Sequence, residues 1–534
     1  MAADSPTTTK FTAFIRHYKE KILPLLGDAD IADLLEEEEY PDKFYQYQQL
    51  NDQPTGIKAK LKPYQLDGVS FLSWLRKNNA HGIVADEMGL GKTLQVLSFF
   101  QHIIDTEKDD DRPFLVVSPL SVLGSWMSEI KKWTDMKVAQ YHGNTEKRQQ
   151  IGRMVRNKEF DIVLITYETV VFDIFRVSRM AHWKSVVCDE GHRLKNSTKQ
   201  LSIAIKKLKT EQRLILTGTP IQNDLTETWS MLNWLYPELF VNETSECFRQ
   251  AFSLTDGRVD PAFLHHVRRF LEVIMIRRVK ESAQADLQLP EKKEVIMYLP
   301  LTEIQKHLYL DVLTGGVDHG DSEDDHKREM LVLATPPSSP GTGNYNSHST
   351  TLPVSNPTKG RSVTNILMDL RKICIHSLFV EGFEEIDDDT DIDVANLMLG
   401  SSKFILLKRL LEQEVTKDRK KILIFSGFDY ALNCCEALLA AMGISCLRLD
   451  GNTCYSLRRY NIHRFRNESE CKVFIMATRA GGEGITLTAA EVVVFLDMDW
   501  NPQVTAQAEA RAYRLGQTKP VTIYKLCTSG TVEE

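Results

Sequence analysis

The run ADEMGLGKT, Ala85 to Thr93, follows the apolar stretch GIVA and precedes the helical stretch TLQVLSFF. Strand, glycine-bearing turn, GKT and helix make a loop whose backbone N–H groups and helix N-terminus face the anionic oxygens of a phosphate chain. Asp86, Glu87, Met88, Gly89, Leu90 and Gly91 would wrap the nucleotide. Lys92 supplies a point charge to the β- and γ-phosphates, and the Thr93 hydroxyl a ligand for Mg2+. The usual G-x-x-x-x-G-K-[ST] template has Asp86 where its first glycine belongs, and a GKT in a turn also arises by chance. DEGH, Asp189 to His192, ends the apolar run WKSVVC. Phosphoryl transfer needs a carboxylate to hold Mg2+ and a group to orient the attacking water; Asp189 suits the first role and Glu190, as general base, the second. A strand ending in DE is common, but behind a GKT in the same alternating segment it specifies a nucleoside triphosphatase. LTGTPIQN, Leu216 to Asn223, reads either as a plain Ser/Thr-rich turn or as a hydroxylic strand end touching those carboxylates. Arg511 and Arg514, three apart in QAEARAYRLGQ, are expected to share one helix face. Such a pair is ordinarily a solvated surface. Behind a complete triphosphatase site they read as arginine fingers that stabilise γ-phosphate charge in the transition state.

These groups need strands to hold them. FLVVSP (114–119), DIVLITYE (161–168), WKSVVCDE (183–190) and RLILTGTP (213–220) each read as a buried strand ending in a polar turn, with helical runs between. Apolar strands covered on both faces mean a parallel sheet, and open α/β sheets place ligands at the strand ends. KKILIFSG (420–427), SCLRLDG (445–451), CKVFIMATRAGGEG (471–484), EVVVFLDMDWNP (491–502) and VTIYKL (521–526) repeat the pattern. The expected fold is α/β with two lobes, each a mostly parallel sheet with helices on both faces. Residues 1–55 are expected to be a polar, partly helical extension, 56–285 the first lobe, 286–400 a protrusion and linker, and 401–534 the second lobe. Within the linker, 313–362 contains the Pro/Gly/Ser/Thr/Asn tract 335–360, which has little to bury and is expected to be a disordered insertion. The chain stops at TVEE directly after its last strand, which reads as a fragment of a longer protein.

Bulk properties exclude little but bound the rest. A chain of 534 residues is too long for one core. It has no run of about 18 or more apolar residues, so no span of a membrane is expected. MAADSPTTTKFTAF lacks the plan of a secretory signal, and nine cysteines without a CxxC pair read as reduced thiols, so an intracellular protein is expected. The net charge of −8 argues mildly against nucleic acid, but much of the acid sits in blocks such as Glu36–Glu39 and Asp387–Asp389, and a groove needs only local positive potential.

The ordered set LKPYQLDGVSFL, DEMGLGKT, VSPLSVLGSW, ITYE, DEGHRLKN, LTGTPIQN, MIRRVK, ILIFSG, RLDGNT, ATRAGGEGITLTAA, DWNP and QAEARAYRLGQTKPVTIYKL, from about Leu61 to Glu534, resembles superfamily 2 helicases and, more narrowly, the SWI/SNF-like chromatin-remodelling ATPases. The imitation-switch and CHD-like branches share these strings. The resemblance implies two RecA-like lobes, with ATP and Mg2+ in the cleft and duplex DNA across both. Gln65 would read adenine, and Gly482 and Gly484 would complete the nucleotide site. Pro119, Ser125, Trp126, Thr166, Tyr167, Thr478, Arg479 and Trp500 would border the DNA. It further implies a DNA-stimulated ATPase that moves along duplex DNA without parting its strands, acting in the nucleus on nucleosomes, with accessory subunits possible. Ile375, Ser377, Glu483, Ala510 and Tyr513 depart from the usual pattern, but none replaces Lys92, Asp189, Glu190, Arg511 or Arg514. A strand-separating helicase and a non-hydrolysing scaffold are the rival readings; duplex-stimulated ATPase without strand release, or any ATPase at all, distinguishes them.

Overall fold

The computed structural model describes residues 13–27, 43–194, 200–218, 225–253, 258–282, 289–314, 363–379, 394–479 and 485–534. In the first lobe, β1 (Gly82–Val84), β2 (Phe114–Ser118), β3 (Val138–Tyr141), β4 (Ile162–Thr166), β5 (Val186–Asp189) and β6 (Arg213–Leu216) are short apolar runs joined through helices. β7 (Phe252–Ser253) and β8 (Arg258–Val259) form a small antiparallel pair, and β9 (Met275–Ile276) returns to the main sheet. That sheet is parallel throughout, in the order β3-β4-β2-β5-β6-β1-β9. β2, β4 and β1 are buried along their whole lengths, as strands covered by helices on both faces must be.

The second sheet is also parallel, in the order β10-β15-β14-β11-β13-β12. Its strands are β10 (Lys292–Leu299), β11 (Ile422–Ser426), β12 (Cys446–Leu449), β13 (Val473–Ala477), β14 (Val492–Phe495) and β15 (Val521–Thr528). Alternation within β11 shows why both faces need helices. Ile422 and Ile424 belong to one apolar cluster, Leu423 and Phe425 to the cluster on the other side. The expected α/β class with two lobes is the class observed.

Two expected boundaries shift. Residues 292–299, placed in the linker by sequence, are an edge strand of the second sheet, paired residue for residue with β15 from Lys292↔Val521 to Leu299↔Thr528. Their half-exposed alternation is that of an edge rather than of a buried run, which is why KKEVIMYL did not read like the other strands. The segment before residue 55 is no mere polar extension. Phe14, Ile15, Ile22, Leu25 and Leu26 are buried in the first-lobe core, the His17 ring stacks on Phe44 at 3.8 Å, and Trp74 Nε1 donates to the Tyr45 carbonyl at 2.7 Å. Of the insertion at 313–362, Leu313 and Thr314 close the helix Glu303–Thr314; 315–362 lie outside the described residues. Among the described residues no helix is long and apolar enough to cross a membrane.

Candidate functional site

The loop after β1 turns twice through left-handed backbone, at Gly89 (φ +94°) and Gly91 (φ +82°), the latter capping the helix Lys92–Thr106. A side chain would fit at neither position. A Cβ on Gly91 would lie 2.5 Å from Gln65 Nε2, and one on Gly89 2.7 Å from Arg514 Cβ. Lys92 Nζ donates to the Asp86 carbonyl at 2.7 Å. Burial pulls the Lys92 ammonium below its usual range, against the opposing pull of Glu190, Asp189 and Asp86. Tyr64 Oη and Gln65 Nε2 both donate to the Leu90 carbonyl, at 2.9 and 3.2 Å. Gln65 is therefore seated against the loop itself, and Tyr64 is a partner that sequence reasoning missed. Leu90 is fully buried, Met88 packs where a Gly218 side chain would go, and Thr93 is half-buried in the first helical turn.

Asp86 and Glu87 use their side chains elsewhere. The Asp86 carboxylate is fully buried and accepts from Arg278 N and Nε at 3.0 Å each, Arg278 Nη2 at 2.8 Å and Gln95 Nε2 at 2.9 Å. Every acceptor site on it is taken, so the expected wrapping of the nucleotide by Asp86 is corrected to its backbone alone. An aspartate can replace the template glycine because its carboxylate is drawn out of the loop by Arg278. Glu87 pairs with Lys280 at 3.0 Å.

The two acids of DEGH meet the loop from β5. Asp189 Oδ1 accepts from Glu190 N at 2.9 Å and Oδ2 from Trp126 Nε1 at 2.8 Å. Burial, with the Glu190 charge beside it, pushes the Asp189 carboxyl up to about 6. Burial also acts upward on Glu190, but His192, Lys92 and Arg511 together hold it below the usual carboxylate range. Glu190 sits at φ +54°, a left-handed conformation that costs a residue with a Cβ energy and is retained where structure demands it. Its Oε2 lies 3.5 Å from His192 Nδ1 and makes no hydrogen bond among the described residues. Two adjacent buried carboxylates beside the half-buried Lys92 ammonium, one with an oxygen that bonds no described residue, fit a divalent cation that takes oxygen ligands. Asp189 with Thr93 would hold it.

From the second lobe, the helix Pro502–Ala512 stops one residue after Arg511, because Tyr513 (φ −98°, ψ 87°) leaves the helical region. Arg511 and Arg514 therefore do not share a helix face, contrary to the spacing argument. Each still reaches the first lobe. The buried Arg511 acts on Glu190. Arg514 stands over Gly89, and Leu515 N donates to the Gly89 carbonyl at 3.4 Å. Burial lowers the Arg514 guanidinium, the Glu129 carboxylate opposing. Tyr513, one of the departures, bridges as well, with its hydroxyl on the Pro290 carbonyl at 3.1 Å and its ring under Lys280. Gly482 and Gly484 lie outside the described residues.

The residues expected to border DNA separate into two groups. Trp126 is completely buried and Tyr167 is 2% exposed, its hydroxyl donating to the Asp189 carbonyl at 2.6 Å. Both side chains are committed to the interior, so their expected contact with DNA is corrected. Pro119 caps the helix Leu120–Trp133 from a buried position, with Ser125 half-buried along it, and Thr478 is buried. Trp500 is 54% exposed, with the Arg371 guanidinium 4.8 Å from its ring. Thr166 and Arg479 line a groove of about 560 Å³ between the lobes, with Ser121 and Arg193 on one wall and Thr453 and Arg458 on the other. Arg193 and Arg458 were not singled out by sequence; Arg193 lay in plain view beside DEGH, and Arg458 only in the basic run YSLRRY.

Residues 64–378 match the model of the SNF2-related domain and residues 402–516 that of the helicase conserved C-terminal domain. The chain belongs to the SNF2-related family. Among similar SNF2-related proteins are the ATP-dependent DNA helicase DDM1 of Arabidopsis thaliana (35% identical, 89% of this chain and 60% of that protein) and the lymphoid-specific helicase of Homo sapiens (33%, 88% and 60%). The ISWI chromatin-remodeling complex ATPase ISW1 of Saccharomyces cerevisiae is 33% identical, over 91% of this chain and 40% of that protein. This chain thus spans 60% or less of the lengths of these relatives. Among solved structures, the Sulfolobus solfataricus SWI2/SNF2 ATPase core in complex with dsDNA is 29% identical over 91% of each chain, with a TM-score of 0.43.

Proposed function

We propose that this SNF2-related chain is the motor of a nuclear nucleosome remodeller, coupling ATP hydrolysis between its lobes to movement along double-stranded DNA. The observation that carries the reading is the placement of Arg514 and Leu515 of the second lobe against Gly89 of the first, with the charge of buried Arg511 acting on Glu190. The triphosphatase site is completed only across the cleft. Lys92 would neutralise the β- and γ-phosphates, Glu190 would take the proton of the attacking water, and the two arginines would stabilise charge on the transferred group. Mg2+, held by Thr93 and Asp189, would supply further charge neutralisation when bound. The inter-lobe groove, with Arg193, Arg458 and Arg479 on its walls, suits phosphate oxygens. Contacts to phosphates position a duplex without reading its sequence. Nucleosomes, accessory subunits and a nuclear site of action are part of the proposal, which relatives named as chromatin-remodeling complex ATPases support. Steady-state ATPase with and without blunt duplex, run beside a strand-release assay, tests this. Stimulation without strand release is expected; strand release at the rate of hydrolysis would replace the translocase by a helicase.

A further inference from the structure

Two helices of the first lobe begin at the inter-lobe groove and end their reach at one residue of the nucleotide site. Leu120–Trp133 follows β2 and Tyr167–Val177 follows β4, and Leu120, Ser121, Thr166 and Thr169 line the groove. The register sets them side by side, since Ser118 pairs with Thr166, while Val117 pairs with Cys188, the residue before Asp189. From Leu120 to Trp126 is roughly 9 Å of helix axis. There the buried indole donates to Asp189 Oδ2 at 2.8 Å, and from the second helix the Tyr167 hydroxyl donates to the Asp189 carbonyl at 2.6 Å. The Thr166 hydroxyl, which accepts from Thr169 N, fixes the start of that second helix at the groove wall. Buried donors that lose their acceptors are costly, so these helices and Asp189 are bound to move together.

We propose that Trp126 and Tyr167 are positioning residues that tie occupancy of the groove by duplex DNA to the placement of Asp189. The inference rests on the proposed reading of the groove as the duplex track and of Asp189 as the Mg2+ carboxylate. It predicts a linkage between two binding events. Duplex should tighten binding of a Mg2+-bound, non-hydrolysable ATP analogue, and the analogue should tighten duplex by the same factor, about fivefold or more.

The test uses the full chain, a fluorescent analogue and a blunt duplex, each affinity being measured with and without the other ligand. Trp126→Phe keeps the ring and removes the N–H; Tyr167→Phe removes only the hydroxyl. Both are expected to bring the linkage factor close to one, while duplex affinity without nucleotide and cooperative melting persist. Trp229→Phe is the control, since it removes a buried Nε1–H bond of 2.8 Å to Thr244 in the same lobe, and its linkage factor should stay at the wild-type value. A wild-type factor in both Trp126→Phe and Tyr167→Phe overturns the inference alone. Loss of linkage in Trp229→Phe as well overturns it in favour of general loosening of the lobe. A wild-type protein with no linkage overturns it together with the duplex-track reading.

Discussion

Asp86 and Arg278 form a buried ion pair in the first lobe, in which a fully buried carboxylate leans on a guanidinium that also bonds the Tyr64 carbonyl and Gln95. Removing one partner of a buried pair leaves the other uncompensated, at a cost of about 3–5 kcal/mol. Arg278→Ala should therefore lower first-lobe stability by that order in chemical denaturation; a change within about 0.5 kcal/mol, the range of an ordinary surface substitution, would refute the pair's role. The site acids divide differently. Glu190→Gln should retain ATP binding and lose turnover, since Asp189 and Lys92 are untouched while the water loses its base; affinity falling as steeply as rate would contradict that division. Lys92, Asp189 and Glu190 were legible as neighbours because a GKT that opens a helix behind a strand and a DE that ends a parallel strand lie on the same edge of such a sheet. The fate of the Asp86 carboxylate was not, because its partner lies 192 positions away. Trp126 and Tyr167 were set beside DNA by the family resemblance alone; both belong to helices that follow strands, and which way such an aromatic side chain faces is decided by packing.

Strands and helices were legible where their pattern was unmixed. β2, β4, β5 and β11 lie where the apolar runs put them, whereas β10 carries the alternation of an edge and was absorbed into the linker. The early chain segment hid its role because Phe14, Ile15 and Ile22 are spaced among charged residues that cover the outside of a helix. The end of the helix at Ala512 has no glycine or proline to announce it; Tyr513 turns away toward Pro290 and Lys280, contacts from outside the helix. The tract 335–360 belongs to no described element. So poor in apolar side chains, it cannot contribute much to a core. Deleting it should leave ATPase and thermal midpoint near wild type, and an unfolded or inactive deletion variant would show that it packs.

The chain as a whole is acidic, with a net charge of −8, yet three arginines, Arg193, Arg458 and Arg479, line one groove between the lobes against one carboxylate, Glu168. Local potential, not the sum, governs binding to a polyanion. Contacts to phosphates release counterions, so DNA stimulation should fall steeply between low and physiological salt, and stimulation indifferent to salt would point away from nucleic acid. The groove and the meeting of Arg514 with Gly89 both lie between the lobes, so on the proposed mechanism one closure would serve both sites. Steady-state ATPase of Arg514→Ala, measured with and without duplex, tests this most directly. Arginine fingers contribute about 10³–10⁵ in rate, so the variant should bind ATP and DNA almost normally yet lose both hydrolysis and its DNA-stimulated increment. Arg514→Lys should fail too, having charge without the planar fork. An Arg514→Ala protein stimulated by duplex as strongly as wild type would contradict the closed-cleft mechanism.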